Sequence, residues 1–179
     1  MPPAAAVECA VDIAASCGEV FDVVHDYDLR LRWDTLLSQA RVLDGPSGKA
    51  ALGVRTLCVG RKSLASIGLE TVYVSFNRPR VAAVRMTRGP WWIAEFAASI
   101  RHTPLPADAA APPGSARSRV VYKLRLRTRP RLFRFLLDPM MQAIFLWETR
   151  KRLAALKSFI ETRTAGARSS PESIPYPPP

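Results

Sequence analysis

The sequence predicts an α+β domain built from one curved antiparallel sheet, two short helices after its first strand, and a long C-terminal helix. Three observations carry this. Residues 7–13 alternate apolar and polar side chains, and strand-forming composition with turn punctuation then holds from about Gly53 to Arg129. From Asp138 to about Arg163 the apolar residues instead recur at helical spacing. The period is two in a strand and 3.6 in a helix, so the change of period marks a change of element. Helices kept apart from a run of strands give the α+β class.

Taken in order, Val7, Cys9, Val11 and Ile13 share one strand face. Ser16-Cys17-Gly18-Glu19 reads as a capping box opening a helix, with Val20, Val23, Val24 and Tyr27 on its inner side. A second short helix or turn follows around Leu29–Asp34, and Gly45-Pro46-Ser47-Gly48 marks a loop. Val54–Arg61 is rich in strand formers, and Glu70–Phe76 and Val81–Thr87 flank the turn Asn77-Arg78-Pro79-Arg80 as a hairpin. Trp91–His102 and Arg119–Thr128 are longer strands, joined by Thr103–Ser118, a connector expected to be mobile. In the last strand Val120, Tyr122, Leu124 and Leu126 alternate with basic residues, which gives one packed and one solvated face.

The final helix is expected to start at Asp138-Pro139, a good N-cap followed by proline at the first helical position. Met141, Ile144, Phe145, Leu153, Leu156, Phe159 and Ile160 form its inward stripe, and Glu148 and Arg152 fall inside that stripe, facing each other. Burying charges in a dry core is costly unless they are paired or wet. A sheet of six or seven strands is also wider than the ~10 Å of one helix, so a single cover helix leaves a pocket. The N-terminal residues 1–5 and the Pro-rich tail 164–179 are expected to be disordered, which leaves residues 6–163 as the folded domain.

Composition bounds the function. At 179 residues the chain fits one domain, and it is 48% hydrophobic with a mean hydropathy near zero. No apolar run approaches the ~20 residues of a membrane-spanning helix. The N-terminus lacks a secretory pattern, and three cysteines without metal spacing suit a reducing cytoplasm. The net charge is +11, yet only five of the 26 basic residues are lysines; the remaining arginines, with abundant Ala and Pro, match the codon bias of a GC-rich genome. Specific nucleic-acid binding is therefore not expected. No catalytic Ser elbow, phosphate loop or paired carboxylates announce a hydrolase, and neither a metal nor a cofactor is expected.

The chain resembles the START-like, Bet v 1-type (SRPBCC) superfamily, in its bacterial polyketide cyclase/dehydrase and lipid-transport branch. The resemblance spans residues 6–163. It rests on the order of Ala14-Ala15-Ser16-Cys17-Gly18-Glu19-Val20-Phe21-Asp22-Val23-Val24, then Trp33-Asp34, Phe76-Asn77-Arg78-Pro79-Arg80, and Glu148 with Leu153-Ala154-Ala155-Leu156-Lys157. Ala15-Ser16 stands where the family usually has Ala-Pro. The resemblance implies a helix-grip fold, a seven-stranded sheet wrapped around the C-terminal helix over an apolar cavity. Members bind lipids, polyketides, sterols, quinones or hormones, and some catalyse cyclisation or dehydration.

On this reading the ligand-facing residues are Trp33, Met86, Trp92, Phe96, Tyr122, Met141, Phe145, Glu148 and Arg152. Candidates for moving protons are Glu148, Arg152, His102 or Tyr122; His102 reads either as a base at the pocket mouth or as an exposed loop-edge residue. Binding or transport of a small hydrophobic ligand is the leading function, and a cyclase or dehydratase using the same cavity is the alternative. A third reading makes the solvated ridge Arg119, Lys123, Arg125, Arg127 and Arg129, with Arg131 and Arg134 beyond it, a docking face for anionic membrane or nucleic acid. A monomer and a homodimer are both compatible with the sequence.

Overall fold

A computed structural model describes residues 6–44, 48–61, 67–106, 116–129 and 131–169, with no side-chain description beyond Ala165. Seven strands form one antiparallel sheet: β1 Val7–Ile13, β2 Leu37–Val42, β3 Arg55–Gly60, β4 Gly68–Asn77, β5 Val81–Arg88, β6 Ile93–Leu105 and β7 Arg117–Thr128. Their order in the sheet is β1-β7-β6-β5-β4-β3-β2. The meander from β2 to β7 is thus closed by β1, whose Val11 pairs with Val120 of β7. Helices α1 (Cys17–His25) and α2 (Tyr27–Trp33) fill the connection between the two edge strands, β1 and β2. Helix α3 (Arg134–Ser169), preceded by a 3-10 turn at Arg131–Phe133, packs on the sheet. This is the expected helix-grip architecture.

The local signals explain most boundaries. The Ser16 hydroxyl accepts the Glu19 amide at 3.2 Å while the Glu19 carboxylate takes the Ser16 amide at 2.9 Å, the reciprocal capping box. Asp26 ends α1 and caps α2, its Oδ1 accepting the amides of Asp28 and Leu29. The chain therefore turns between two helices over a single residue. Of the Gly45–Gly48 loop, residues 45–47 lie outside the described residues; Gly48 turns with φ +81°, where a Cβ would lie 2.0 Å from the Asp28 carboxylate. Residues 1–5, most of the Thr103–Ser118 connector and 170–179 likewise lie outside the described residues.

Three expectations change. Leu37–Val42 is a seventh strand that reading by alternation alone does not find, because only Leu37 in it is fully buried. α3 begins four residues before Asp138 and runs past Arg163 to Ser169, with Pro139 inside it. Asp138 does not cap it; its Oδ1 accepts the Thr128 amide at 2.8 Å and the Thr128 hydroxyl at 2.7 Å, tying the helix start to the end of β7. Finally, Ile144 leaves the inward stripe: it is 38% exposed, whereas Phe145, Leu153, Leu156 and Ile160 are buried. One core cluster joins Ile13, Phe21, Val120 and Leu156, and a second joins Ile93, Phe96, Leu126 and Phe145.

Candidate functional site

Between these two clusters the concave face of the sheet and α3 do not meet. They bound a hollow of about 120 Å³. One water needs roughly 10–15 Å³, so the space is far larger than a packing defect. Strands β3 to β7 floor it through Cys58, Leu69, Tyr73, Val84, Ala98, Ile100, Tyr122 and Leu124. Phe145, Thr149, Arg152 and Leu153 of α3 roof it, and Val24, Tyr27, Arg30 and Trp33 of the paired short helices close one end. The wall is overwhelmingly hydrocarbon.

Its polar end is built by α2 and α3. Arg30 and Asp34 are four apart, one helical turn, and Arg30 Nε donates to Asp34 Oδ2 at 2.9 Å. Arg152, reaching across from α3, donates from Nη2 to the same oxygen at 2.7 Å. Asp34 Oδ1 accepts the Leu36 amide at 3.2 Å, and Arg30 Nη1 donates to the Val24 carbonyl. All three side chains are buried: Arg30 is 8% exposed, Asp34 1% and Arg152 7%. Burial alone would raise the Asp34 carboxyl, but the Arg152 and Arg30 guanidiniums outweigh it and hold the group below the usual carboxylate range. Burial works against the Arg30 charge, and the Asp34 carboxylate more than restores it. Two guanidiniums thus share one carboxylate, so the cluster keeps one positive charge in excess.

Aromatic faces support that charge. The Arg30 guanidinium lies 4.9 Å from the Trp33 ring centroid, and Arg152 lies 5.4 Å from Tyr122 and 6.0 Å from Trp33. Trp33 Nε1 is buried with no partner among the described residues. A guest in the hollow would therefore meet spare donors at this end and a mostly apolar wall elsewhere.

A second polar line runs along the α1 side. His25 Nδ1 lies 3.0 Å from the Tyr73 hydroxyl, which lies 3.3 Å from that of Tyr27. Burial, then the Arg30 and His102 charges, lower the His25 pKa well below that of a free imidazole. Burial, then neighbouring Tyr27, raises Tyr73. At neutral pH this is a neutral imidazole bonded to a neutral phenol, with His25 Nε2 unpartnered among the described residues. Both residues line the hollow.

Of the nine side chains expected to face a ligand, Trp33, Phe96, Tyr122, Phe145 and Arg152 line the hollow. Met86, Trp92 and Met141 instead pack at the edge of the second core cluster. Trp92 is displaced because a bulge between Ile93 and Glu95 breaks the alternation that put it in phase with Phe96. Glu148 is buried but does not pair with Arg152: it accepts from Lys151 Nζ at 2.9 Å. The expected ion pair is thus replaced by one to each side, because Asp34 offers Arg152 a fully buried carboxylate. His102 is neither at a mouth nor at an exposed loop edge. β6 continues to Leu105, so His102 is 3% exposed, with its ring 5.4 Å from that of Phe21, and burial pushes its pKa down to about 4.

Arg30, His25, Tyr27 and Tyr73 are among the site residues that sequence reading does not select for the site. The available signal is Tyr27, Arg30, Trp33 and Asp34 recurring at three- and four-residue spacing on one short helix. Part of the basic ridge is paired across strands. Arg119 forms two bonds to Asp12 of β1, Lys123 lies 3.7 Å from Glu8, and Arg127 lies 3.8 Å from Glu95 of β6. Among the described residues, no three His, Cys, Asp or Glu side chains come together as metal ligands, and no helix is long and apolar enough to cross a membrane.

Comparison with known proteins agrees with this architecture. An aromatase/cyclase, Zhui from Streptomyces sp. R1128, superposes with a TM-score of 0.70 at 16% identity, over 89% of this chain and 95% of its own. A START superfamily protein from Mycobacterium smegmatis gives 0.68 at 16% identity, over 88% and 97%. A protein from Thermus thermophilus gives 0.68 at 14% identity, over 93% and all of its chain. At such identities the likeness establishes the fold. No curated protein matches the sequence. The model of the family described as polyketide cyclase / dehydrase and lipid transport matches residues 4–161, which is almost the whole of the helix-grip fold and both sides of the hollow, and the chain belongs to that family.

Proposed function

We propose that this protein binds a small, mostly apolar molecule in the hollow under α3, and that Arg152 and Arg30 hold an acidic oxygen group at one end of it. The observation that carries the reading is the unequal cluster at the polar end, two buried guanidiniums around the single carboxylate of Asp34. A buried excess charge costs free energy, and an anionic group entering the hollow would offset it. Guanidinium also binds carboxylates in a planar, two-point geometry. The apolar wall supplies the remainder of the affinity, as expected of small-molecule sites. Membership in a family of lipid carriers and polyketide cyclases supports the same class of guest.

The test is native mass spectrometry of the full chain purified from its source, followed by titration with lipids, quinones and polyphenols. The panel includes lauric acid and methyl laurate as a matched pair. The acid should bind at least about tenfold more tightly than the ester, the size of a charge-assisted bond. Arg152→Met should erase most of that preference, and Arg152→Lys should retain part of it. Equal binding of acid and ester would remove the role given to the arginines. If nothing copurifies and nothing in the panel titrates, the ligand reading fails altogether.

A cyclase or dehydratase is the second reading, and one observation favours it. His25 is a neutral base with an unpartnered, buried Nε2, oriented by Tyr73 and lining a mostly apolar hollow. On that reading, His25→Gln lowers turnover of a polyketide-like substrate far more than its affinity. Matched losses in both would leave binding alone.

A further inference from the structure

α3 carries a second apolar stripe on the face turned away from the sheet. Leu136, Met140, Ile144 and Trp147 recur at four- and three-residue spacing and are 59%, 48%, 38% and 58% exposed. Phe135, 80% exposed, extends the stripe at its N-terminal end. Its length is about 18 Å at 1.5 Å per residue. Beside the helix start, Trp91 at the β5–β6 turn is 77% exposed and shares a surface groove with Ala94, Glu95, Arg129, Arg131 and Arg134, three cations against the one carboxylate, which lies 3.8 Å from Arg127. At the other end the Lys151 ammonium sits 3.6 Å from the Trp147 ring centroid and is paired with Glu148 at 2.9 Å, so the cations of this face are the arginines at the helix start. Single exposed apolar side chains are ordinary, but a continuous stripe on one helix face marks a contact surface.

We infer that this face of α3 docks the protein on an anionic lipid bilayer. The stripe supplies aromatic and aliphatic side chains that insert at the level of the headgroups, and its flanks supply the cations such a surface attracts. From Arg129 to Trp147 the sequence has three arginines and one acid, and that acid, Asp138, is bonded to Thr128. A second copy is a poorer occupant, since it would bring matching arginine flanks together on chains that each carry +11. Phe145, on the opposite face of the same turns, lines the hollow, so docking would place the roof of the hollow against the bilayer.

The test is cosedimentation of the full chain with phosphatidylcholine vesicles, with and without phosphatidylglycerol. Binding is expected only with phosphatidylglycerol. It should weaken as salt rises and should shift the emission of Trp91 and Trp147 to the blue. Arg129→Ser and Arg131→Ser, both at exposed sites, should each lower partitioning about fivefold, the equivalent of about 1 kcal/mol. Phe135→Glu with Trp147→Glu should abolish it while circular dichroism stays unchanged, and Arg125→Ser on β7 should have no effect. A chain that stays in the supernatant with anionic vesicles at low salt overturns the inference. So does loss of binding in Arg125→Ser alone. A concentration-dependent dimer in sedimentation velocity, dispersed by Phe135→Glu, would assign the face to a second copy instead.

Discussion

Asp34 is the residue on which the polar end of the hollow depends. It is 1% exposed and bonds both Arg30 and Arg152, elements 118 residues apart in the chain being joined through one oxygen. Replacing it with asparagine keeps the shape and removes the charge, which leaves two buried guanidiniums with no counter-ion. Breaking a buried ion pair by removing one partner typically costs about 3–5 kcal/mol, because the remaining charge is uncompensated. Asp34→Asn should lose stability on that scale in urea unfolding. Adding Arg152→Met should recover part of the loss, since the second guanidinium is then gone, and the double-mutant cycle should show coupling. Additive losses would mean that the two side chains do not act as a unit.

Helix α3 shows how one element can carry two assignments. Its inward face, Phe145, Leu153, Leu156 and Ile160, is buried against the sheet, while Leu136, Met140, Ile144 and Trp147 face out. A helix apolar on two sides has little net amphipathicity, so its sequence invites a single broad stripe, and Ile144 falls into it wrongly. The two faces should separate under mutation. Leu156→Ala, at a position with 0% exposure, should cost about 2–5 kcal/mol by transfer and cavity terms. Ile144→Ser should change stability by no more than about 0.5 kcal/mol, as surface substitutions do. If Ile144→Ser proved as costly as Leu156→Ala, the outward face would be part of the core. Strand β2 illustrates the opposite difficulty. Leu37–Val42 has a bulge between Leu37 and Gln39 and little burial, so neither alternation nor hydrophobicity reveals it.

At the scale of the molecule, the sheet, the cover helix and the hollow are legible because periodicity and element order survive in the sequence. The charge pairing is not, because Arg152 takes a partner beside α2 that only the fold brings near. The burial of the two histidines is not legible in the sequence for a related reason: it depends on how far β6 and α1 extend. That burial makes the whole fold sensitive to acid. His102 is held to about 4 by burial, with neither ring nitrogen partnered among the described residues, and His25 is shifted in the same direction. An unfolded histidine titrates near 6.5. Below that pH the unfolded chain therefore binds protons the native one refuses, and stability must fall as pH drops from about 6.5 towards 4. His102 alone accounts for about 3 kcal/mol across that window. The Asp34 contribution lies lower, since its depressed carboxyl stays ionised until pH falls below the ordinary carboxylate range. Urea midpoints measured between pH 7 and 4.5 should therefore decline with a slope set by the histidines. His102→Leu should flatten that decline by roughly the share of one histidine. It should cost little at pH 7, because no hydrogen bond is lost and a buried polar ring is replaced by hydrocarbon. A decline left intact in His102→Leu would show that the imidazole is wet, and that the space between α1 and β6 is more open than the contact of His102 with Phe21 implies.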